Sequence, residues 1–213
     1  MKVGVLISGR GSNLQSLIDA QLAGDLSAEI VLVVSNVPGV KGLDRAEAAG
    51  IPTKIINHKD FEDRPTFEDA LHDALTDANV ELVCLAGFMR LLTDDFVDKW
   101  TDRLINIHPS LLPAFKGLHT HERALDAGVR FTGCTIHFVR PAMDDGPIIL
   151  QAAVPILTDD DAATLATRVL EQEHKMYPLA VKMVAEGRTR FEEGRVKIKD
   201  AGIPGAPIIN PSS

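Results

Sequence analysis

Asn106 and His108 stand two residues apart at the end of an apolar run, RLINIHPSLLP (residues 103–113). On a β-strand that spacing sends both side chains to the same face. A polar pair at the carboxyl end of a buried parallel strand is out of place in a core, and that edge is where open α/β sheets bind ligands. An asparagine amide beside an imidazole supplies one donor for a developing oxyanion and one group able to transfer protons. Asp144, in the connection RPAMDDG (residues 140–146), could complete the set. A carboxylate near His108 would favour the imidazolium form at neutral pH. Asp145 is its neighbour, and the sequence leaves open which of the two faces inward. Each also fits a turn residue before Gly146. Taken alone, Asn106 and His108 fit a turn asparagine and a hydrogen-bonded strand-end histidine.

A second candidate lies at residues 8–13, SGRGSN, which follow the apolar run VGVLI and precede a helical pattern. Glycines let the chain turn tightly, so that amides at a helix N-terminus can point at an anion. Ser12 and Asn13 suit the N-cap and could add side-chain donors to phosphate oxygens. A dinucleotide fingerprint would require glycine at position 14, where Leu14 stands. The Lys-Ser/Thr pair of an NTPase loop is missing too. A compact one-phosphate site remains, with a ligand-free tight turn as the alternative. His119, His121 and Glu122 suggest a metal, yet no further ligands follow at a recognisable spacing, and none is expected. His137 reads as a packed or surface strand residue, and His58, His72 and His174 have no chemical company.

These residues need elements to hold them. Apolar runs at 3–7, 30–34, 53–56, 82–86 and 103–107 predict five strands. Leu14, Leu17, Ile18 and Leu22 recur at helical spacing, as do Phe67, Leu71 and Leu75 on a stretch ending near Ala78. Such alternation predicts an α/β fold: a mostly parallel, open twisted sheet with a Rossmann-like N-terminal half. FTGCTIHFV and PIILQAAVPI predict an antiparallel C-terminal extension, with RPAMDDG near the sheet centre. A helix is predicted over about 162–186, kinked or broken at Pro178. RFEEGRVKI reads as a hairpin, and AGIPGAPIINPSS as an extended or frayed tail. The chain divides into a single domain over 1–190 and a hairpin with a Pro/Gly-rich tail over 191–213.

Composition narrows the function classes. The 213 residues carry 22 Lys+Arg against 30 Asp+Glu, a net charge of −8, which argues against nucleic-acid or membrane-surface binding. Cys84 and Cys134 both lie in apolar stretches without a paired framework, as expected in a reducing, cytoplasmic setting. MKVGVLIS is too short in its apolar part for a signal segment or a spanning helix.

The runs ISGRGSNLQSLID, LAGFMRLL, NIHPSLLPAFKGLHTH, Gly133 to Asp144-x-Gly146, and EQEHKMYP occur in one order over residues 1 to about 190. In these motifs the chain resembles the folate-dependent glycinamide ribonucleotide formyltransferases of purine synthesis. NIHPSLLP alone marks the wider formyltransferase group; the phosphate loop and EQEH narrow it. The resemblance implies that Asn106, His108 and Asp144 are catalytic, and that Gly11, Ser12 and Asn13 hold the ribose phosphate. It implies that Leu170, Glu171, Gln172 and Glu173 contact the glycinamide part, Glu173 directly. The folate, 10-formyltetrahydrofolate as cosubstrate, would meet Arg64, Met89, Arg90, Leu91, Leu92 and Asn106. It would also meet the loop Arg140, Pro141, Ala142, Met143 and Asp144, and no metal is implied. The chain departs from the family pattern at Pro141 and Ala142, where acidic residues are frequent, and at Asp145, where a small residue is usual.

Three rivals share parts of this pattern. A formyltetrahydrofolate deformylase would use the same trio behind an extra N-terminal regulatory domain. A transfer-RNA formyltransferase would add a basic C-terminal domain. A non-catalytic nucleotide-binding module would leave the trio scattered. The expected partners are small-molecule substrates, with no nucleic acid and no membrane; Arg10, Arg64 and Arg90 would supply local positive charge for anions. The long helix or strand 103–107 could pair two copies into a homodimer.

Overall fold

The computed structural model describes residues 1–202, 205 and 208–211. Seven strands form one sheet: β1 (Lys2–Ile7), β2 (Glu29–Ser35), β3 (Thr53–Ile55), β4 (Leu82–Leu85), β5 (Leu104–His108), β6 (Phe131–Phe138) and β7 (Ile148–Pro155). Their order is β3-β2-β1-β4-β5-β6-β7. The first five are parallel, whereas β6 pairs antiparallel with β5 on one side and with β7 on the other. The parallel strands β1, β2, β4 and β5 are short apolar runs because helices cover both of their faces, whereas β3 is a largely exposed edge strand. Order reverses between β1 and β4, and the crevice beyond the carboxyl ends of such strands is the natural ligand position.

Two apolar layers hold the sheet. On one face, Val5, Ile7, Ile105 and Ile107 pack under α1 (Ser12–Leu22) and α6 (Ala162–Ala185), which contribute Leu14, Leu17 and Tyr177. On the other, Leu6, Val34 and Leu104 meet Phe67 and Leu71 of α3 (Arg64–Asp77) and Phe96 of α4 (Asp94–Lys99). Two further helices, α2 (Lys41–Ala48) and α5 (Thr120–Asp126), complete the set with a short 3-10 turn at His58–Asp60. The hairpin of β8 (Thr189–Glu192) and β9 (Arg195–Ile198) lays Phe191, Val196 and Ile198 against the first layer.

Several expectations change. The N-cap of α1 is Gly11, in the left-handed region at φ 67°, and no side chain caps the helix, so Ser12 and Asn13 are its first residues. A Cβ on Gly11 would stand 2.7 Å from Cα of Gly42, so a capping side chain has no room. Leu22 falls at helical spacing, but it sits at the end of α1 and is 71% exposed. Helices α2 and α4 are too short to carry a legible apolar repeat. α6 is not broken at Pro178; its first turn carries a reciprocal Asp161–Thr164 capping box and its buried face runs on through Val184. Packing outweighs the single backbone donor that proline removes.

The β6–β7 pair lies at one edge of the sheet rather than near its centre. Strand 103–107 is interior, flanked by β4 and β6, so its edges are unavailable to a second copy. Of the tail, Asn210 donates from its amide to the carbonyls of Arg130 (2.7 Å) and Ile156 (2.9 Å). The rest of the expected frayed stretch lies partly outside the described residues.

Candidate active site

β5 delivers Asn106 and His108 at its carboxyl end, on the face opposite to Ile105 and Ile107. In the antiparallel ladder with β6, Asn106 stands opposite His137 and His108 opposite Thr135. His137, expected as an ordinary strand residue, is therefore part of this centre: its Nε2 lies 3.4 Å from Asn106 Nδ2 and 3.9 Å from Asp144 Oδ1. The signal was available, because pairing RLINIH with FTGCTIHF antiparallel brings a second histidine to the same face.

His108 is 6% exposed. Its Nε2 lies 3.0 Å from the carbonyl of Phe115, so that nitrogen carries a hydrogen. Nδ1 lies 3.5 Å from Asp144 Oδ2, an ion-pair contact too long for a fully made hydrogen bond. Asp144 Oδ2 also accepts from the Gly117 amide at 2.8 Å. Both nitrogens of the ring thus face acceptors.

The loop after β6 determines which acid turns inward. Asp144 adopts a left-handed conformation (φ 51°), and its side chain is 11% exposed. Asp145 turns out, 57% exposed, onto the ammonium of Lys116, which holds its carboxyl below the usual range. Gly146 is required there: a Cβ would lie 1.6 Å from the Phe138 carbonyl oxygen. Arg140 does not point into the centre. Its guanidinium donates to Asp102 at 2.5 Å and to the carbonyl of Val139, and lies over the Phe191 ring. Pro141, Ala142 and Met143 are exposed.

The glycine loop sits beside this edge. Gly42 donates from its amide to the Gly9 carbonyl at 3.1 Å, so the N-terminus of α2 backs the loop. The amides at the start of α1 have no helical acceptors and leave an anion-binding end. Asn13 Nδ2 donates to Glu173 Oε2 at 2.7 Å, while Asn13 Oδ1 is buried without a partner. Burial raises the Glu173 carboxyl above its ordinary value and the Asn13 bond opposes that. Tyr177, one turn further along α6, donates its hydroxyl to the carbonyls of Leu85 (2.9 Å) and Ile105 (3.4 Å). That fixes α6 over the end of β4 and the beginning of β5. Leu170 and Gln172 are half-buried and Glu171 is exposed.

The segment after β4 borders the same crevice: Met89 and Leu91 are exposed, Arg90 and Leu92 half-buried. Arg64 is exposed at the first position of α3. His58, for which the sequence suggested no company, has its Nδ1 3.1 Å from Asn36 Nδ2. His119 is exposed with Glu122 3.8 Å away, and among the described residues no three His, Cys, Asp or Glu side chains gather around a metal position. Burial pushes both thiols up, Cys134 to about 12, so neither is a ready nucleophile.

A family model described as formyl transferase matches residues 1–181. The chain belongs to the formyl transferase family. Within this family it sides with the phosphoribosylglycinamide formyltransferases. It is 41% identical to the protein of that name from Haemophilus influenzae, covering 98% of this chain and 99% of that one. It is 53% identical over 196 residues to the trifunctional purine biosynthetic protein adenosine-3 of Bos taurus, and spans 19% of that relative's length. The crystal structure of glycinamide ribonucleotide transformylase 1 from Symbiobacterium toebii superposes with a TM-score of 0.92, at 44% identity and 94% coverage of both chains. The formyl transferase fold and the convergence of Asn106, His108 and Asp144 leave no support for a scattered trio.

Proposed function

We propose that this formyl transferase moves the formyl group of 10-formyltetrahydrofolate to the amine of glycinamide ribonucleotide, a step of purine nucleotide (IMP) synthesis. The products are N-formylglycinamide ribonucleotide and tetrahydrofolate. One observation carries the reading: an Asn106–His108–Asp144 centre around the buried His108 shares its sheet edge with a helix end suited to an anion, whose Asn13 is tied to Glu173. Gly11, Ser12 and Asn13 hold the ribose phosphate, and Glu173 takes donors from the glycinamide part, with Leu170, Glu171 and Gln172 around it.

The folate lies along Met89–Leu92 and the 140–144 loop. Met89, Leu91 and Met143 offer exposed apolar surface to its rings, and Arg64 and Arg90 face its carboxylates. The guanidinium of Arg140 is spent elsewhere, so that residue lines the loop through its backbone.

In the reaction the amine attacks the formyl carbon, and a tetrahedral oxyanion forms. Asn106 has one amide hydrogen directed at His137 and a second free for that oxygen. The 3.5 Å gap between Nδ1 of His108 and Asp144 lets the ring turn its hydrogen onto the same oxygen. Removing one such donor typically costs about 100- to 1,000-fold in rate. The amine loses a proton as the folate nitrogen gains one, His108 and Asp144 carrying it between them, and the carbon–nitrogen bond to folate breaks. No step passes through a metal or a covalent enzyme adduct. Residues 1–190 act as one catalytic unit, and the β8–β9 hairpin adds to its packing.

The test is spectrophotometric, with purified protein and 10-formyltetrahydrofolate, with and without glycinamide ribonucleotide. Folate deformylation only with the ribonucleotide supports transfer. Deformylation without it would make water the acceptor and the enzyme a hydrolase. No reaction in either case would sink the assignment.

A further inference from the structure

Glu68 is 3% exposed, and among the described residues no cation pairs with it. A buried carboxylate of this kind is costly unless its oxygens are satisfied. Among the described residues, the hydrogen bonds its carboxylate accepts come from Thr93: the amide at 3.0 and 3.2 Å, and the hydroxyl through a short contact. Thr93 ends the segment that follows β4 and caps α4, its hydroxyl accepting from the Phe96 amide.

The other end of that segment is held by Ser8. The Ser8 amide donates to the Gly87 carbonyl at 3.2 Å, and its hydroxyl accepts from the Met89 amide at 2.8 Å. The same hydroxyl donates to Asn36 Oδ1 at 2.5 Å, and Asn36 is itself buried. Residues 87–93 therefore form a strap fixed at both ends. Its middle displays Met89 and Leu91 at 70% and 61% exposure. Holding large apolar side chains outward on a fixed segment lowers no energy in the free protein; it prepares a surface. Glu68 also lies one turn after Arg64 on α3, so the two share a helix face. The Thr93 clamp thus sets the position of Arg64 relative to Met89 and Leu91.

We propose that Glu68 and Ser8 are positioning residues for the formyl donor, holding the 87–93 strap and Arg64 in the geometry that receives the folate. This rests on the folate reading of that segment given above. A role confined to capping α4 would leave substrate constants alone, and a role in general stability would weaken both substrates together.

The experiment compares Glu68→Gln, Ser8→Ala and Ser8→Thr with wild type in the full chain. It reads KM for 10-formyltetrahydrofolate and for glycinamide ribonucleotide separately, and hydrogen exchange of the 87–93 amides. Glu68→Gln and Ser8→Ala should raise the donor KM about five-fold or more and speed exchange in 87–93. The acceptor KM should stay within about two-fold, and Ser8→Thr should recover most of the loss. An unchanged donor KM in both variants, or equal rises for both substrates, overturns the proposal. If Glu68→Gln fails to fold, the two serine variants decide. Wild-type protein that neither turns over nor binds a non-transferring folate analogue would instead sink the functional reading, and the positioning role with it.

Discussion

Nδ2 of Asn106 faces Nε2 of His137 at 3.4 Å, straight across the β5–β6 ladder. The other ring nitrogen lies 3.0 Å from the Phe138 carbonyl and must carry the hydrogen, so Nε2 presents a lone pair. Burial keeps His137 below the ordinary imidazole range, although the carbonyl bond and Asp144 oppose that shift. A neutral ring in this tautomer accepts from the asparagine amide and fixes which end of that amide faces the reacting centre.

His137→Ala should consequently lower kcat about ten-fold or more while leaving both KM values within about two-fold. Steady-state kinetics check this. Equal losses in substrate binding would show that the ring shapes the pocket and does not aim Asn106.

The same histidine should leave a mark on stability. Its folded pKa is depressed, so the unfolded chain binds its proton more readily. Stability is then complete above about pH 6.5 and declines as pH falls toward the folded value. Urea unfolding of wild type and His137→Ala between pH 7.5 and 5 should show a steeper acid decline in wild type. Parallel curves would mean that the ring titrates as it does in water.

Adjacent acids should behave differently. Asp144→Asn should reduce kcat about 100-fold or more, because Asp144 faces His108 and holds Gly117. Asp145→Asn should stay within about two-fold in activity and leave stability nearly unchanged, as an exposed ion pair contributes little. Matched losses in both variants would show that the loop can present either acid.

Gly146→Ala tests the loop's close approach to β6. The added methyl would overlap the Phe138 carbonyl, so the loop must move and Asp144 with it. A loss of about 1–3 kcal/mol in stability and a larger loss in kcat are expected. A variant as stable and active as wild type would show that the loop can shift freely.

Most of the sheet was legible because parallel strands buried on both faces are bare apolar runs, as in VGVLI and LVCLA. Asn106 and His108 stood out for the same reason, as polar residues interrupting such a run. Asp144 could be singled out but not oriented, since its inward turn depends on a left-handed backbone and on Lys116 drawing Asp145 away. His137 was legible only through register: a strand histidine gains its meaning from the residue across the ladder. Ser8, Asn36 and Glu68 were invisible because their partners lie 22 or more residues distant in the chain. Helix α2 offered too few turns to show a repeat, yet it backs the glycine loop.

On the function proposed above, that backing sets how an anion is received. Gly11 takes its left-handed turn with the backbone of Gly42 pressed against it, a contact made by the fold itself. The entropy of ordering this loop is therefore lost during folding and not at association. Capture of a phosphate there should resemble docking on a rigid template, with an encounter rate governed by diffusion and local charge and not by loop closure.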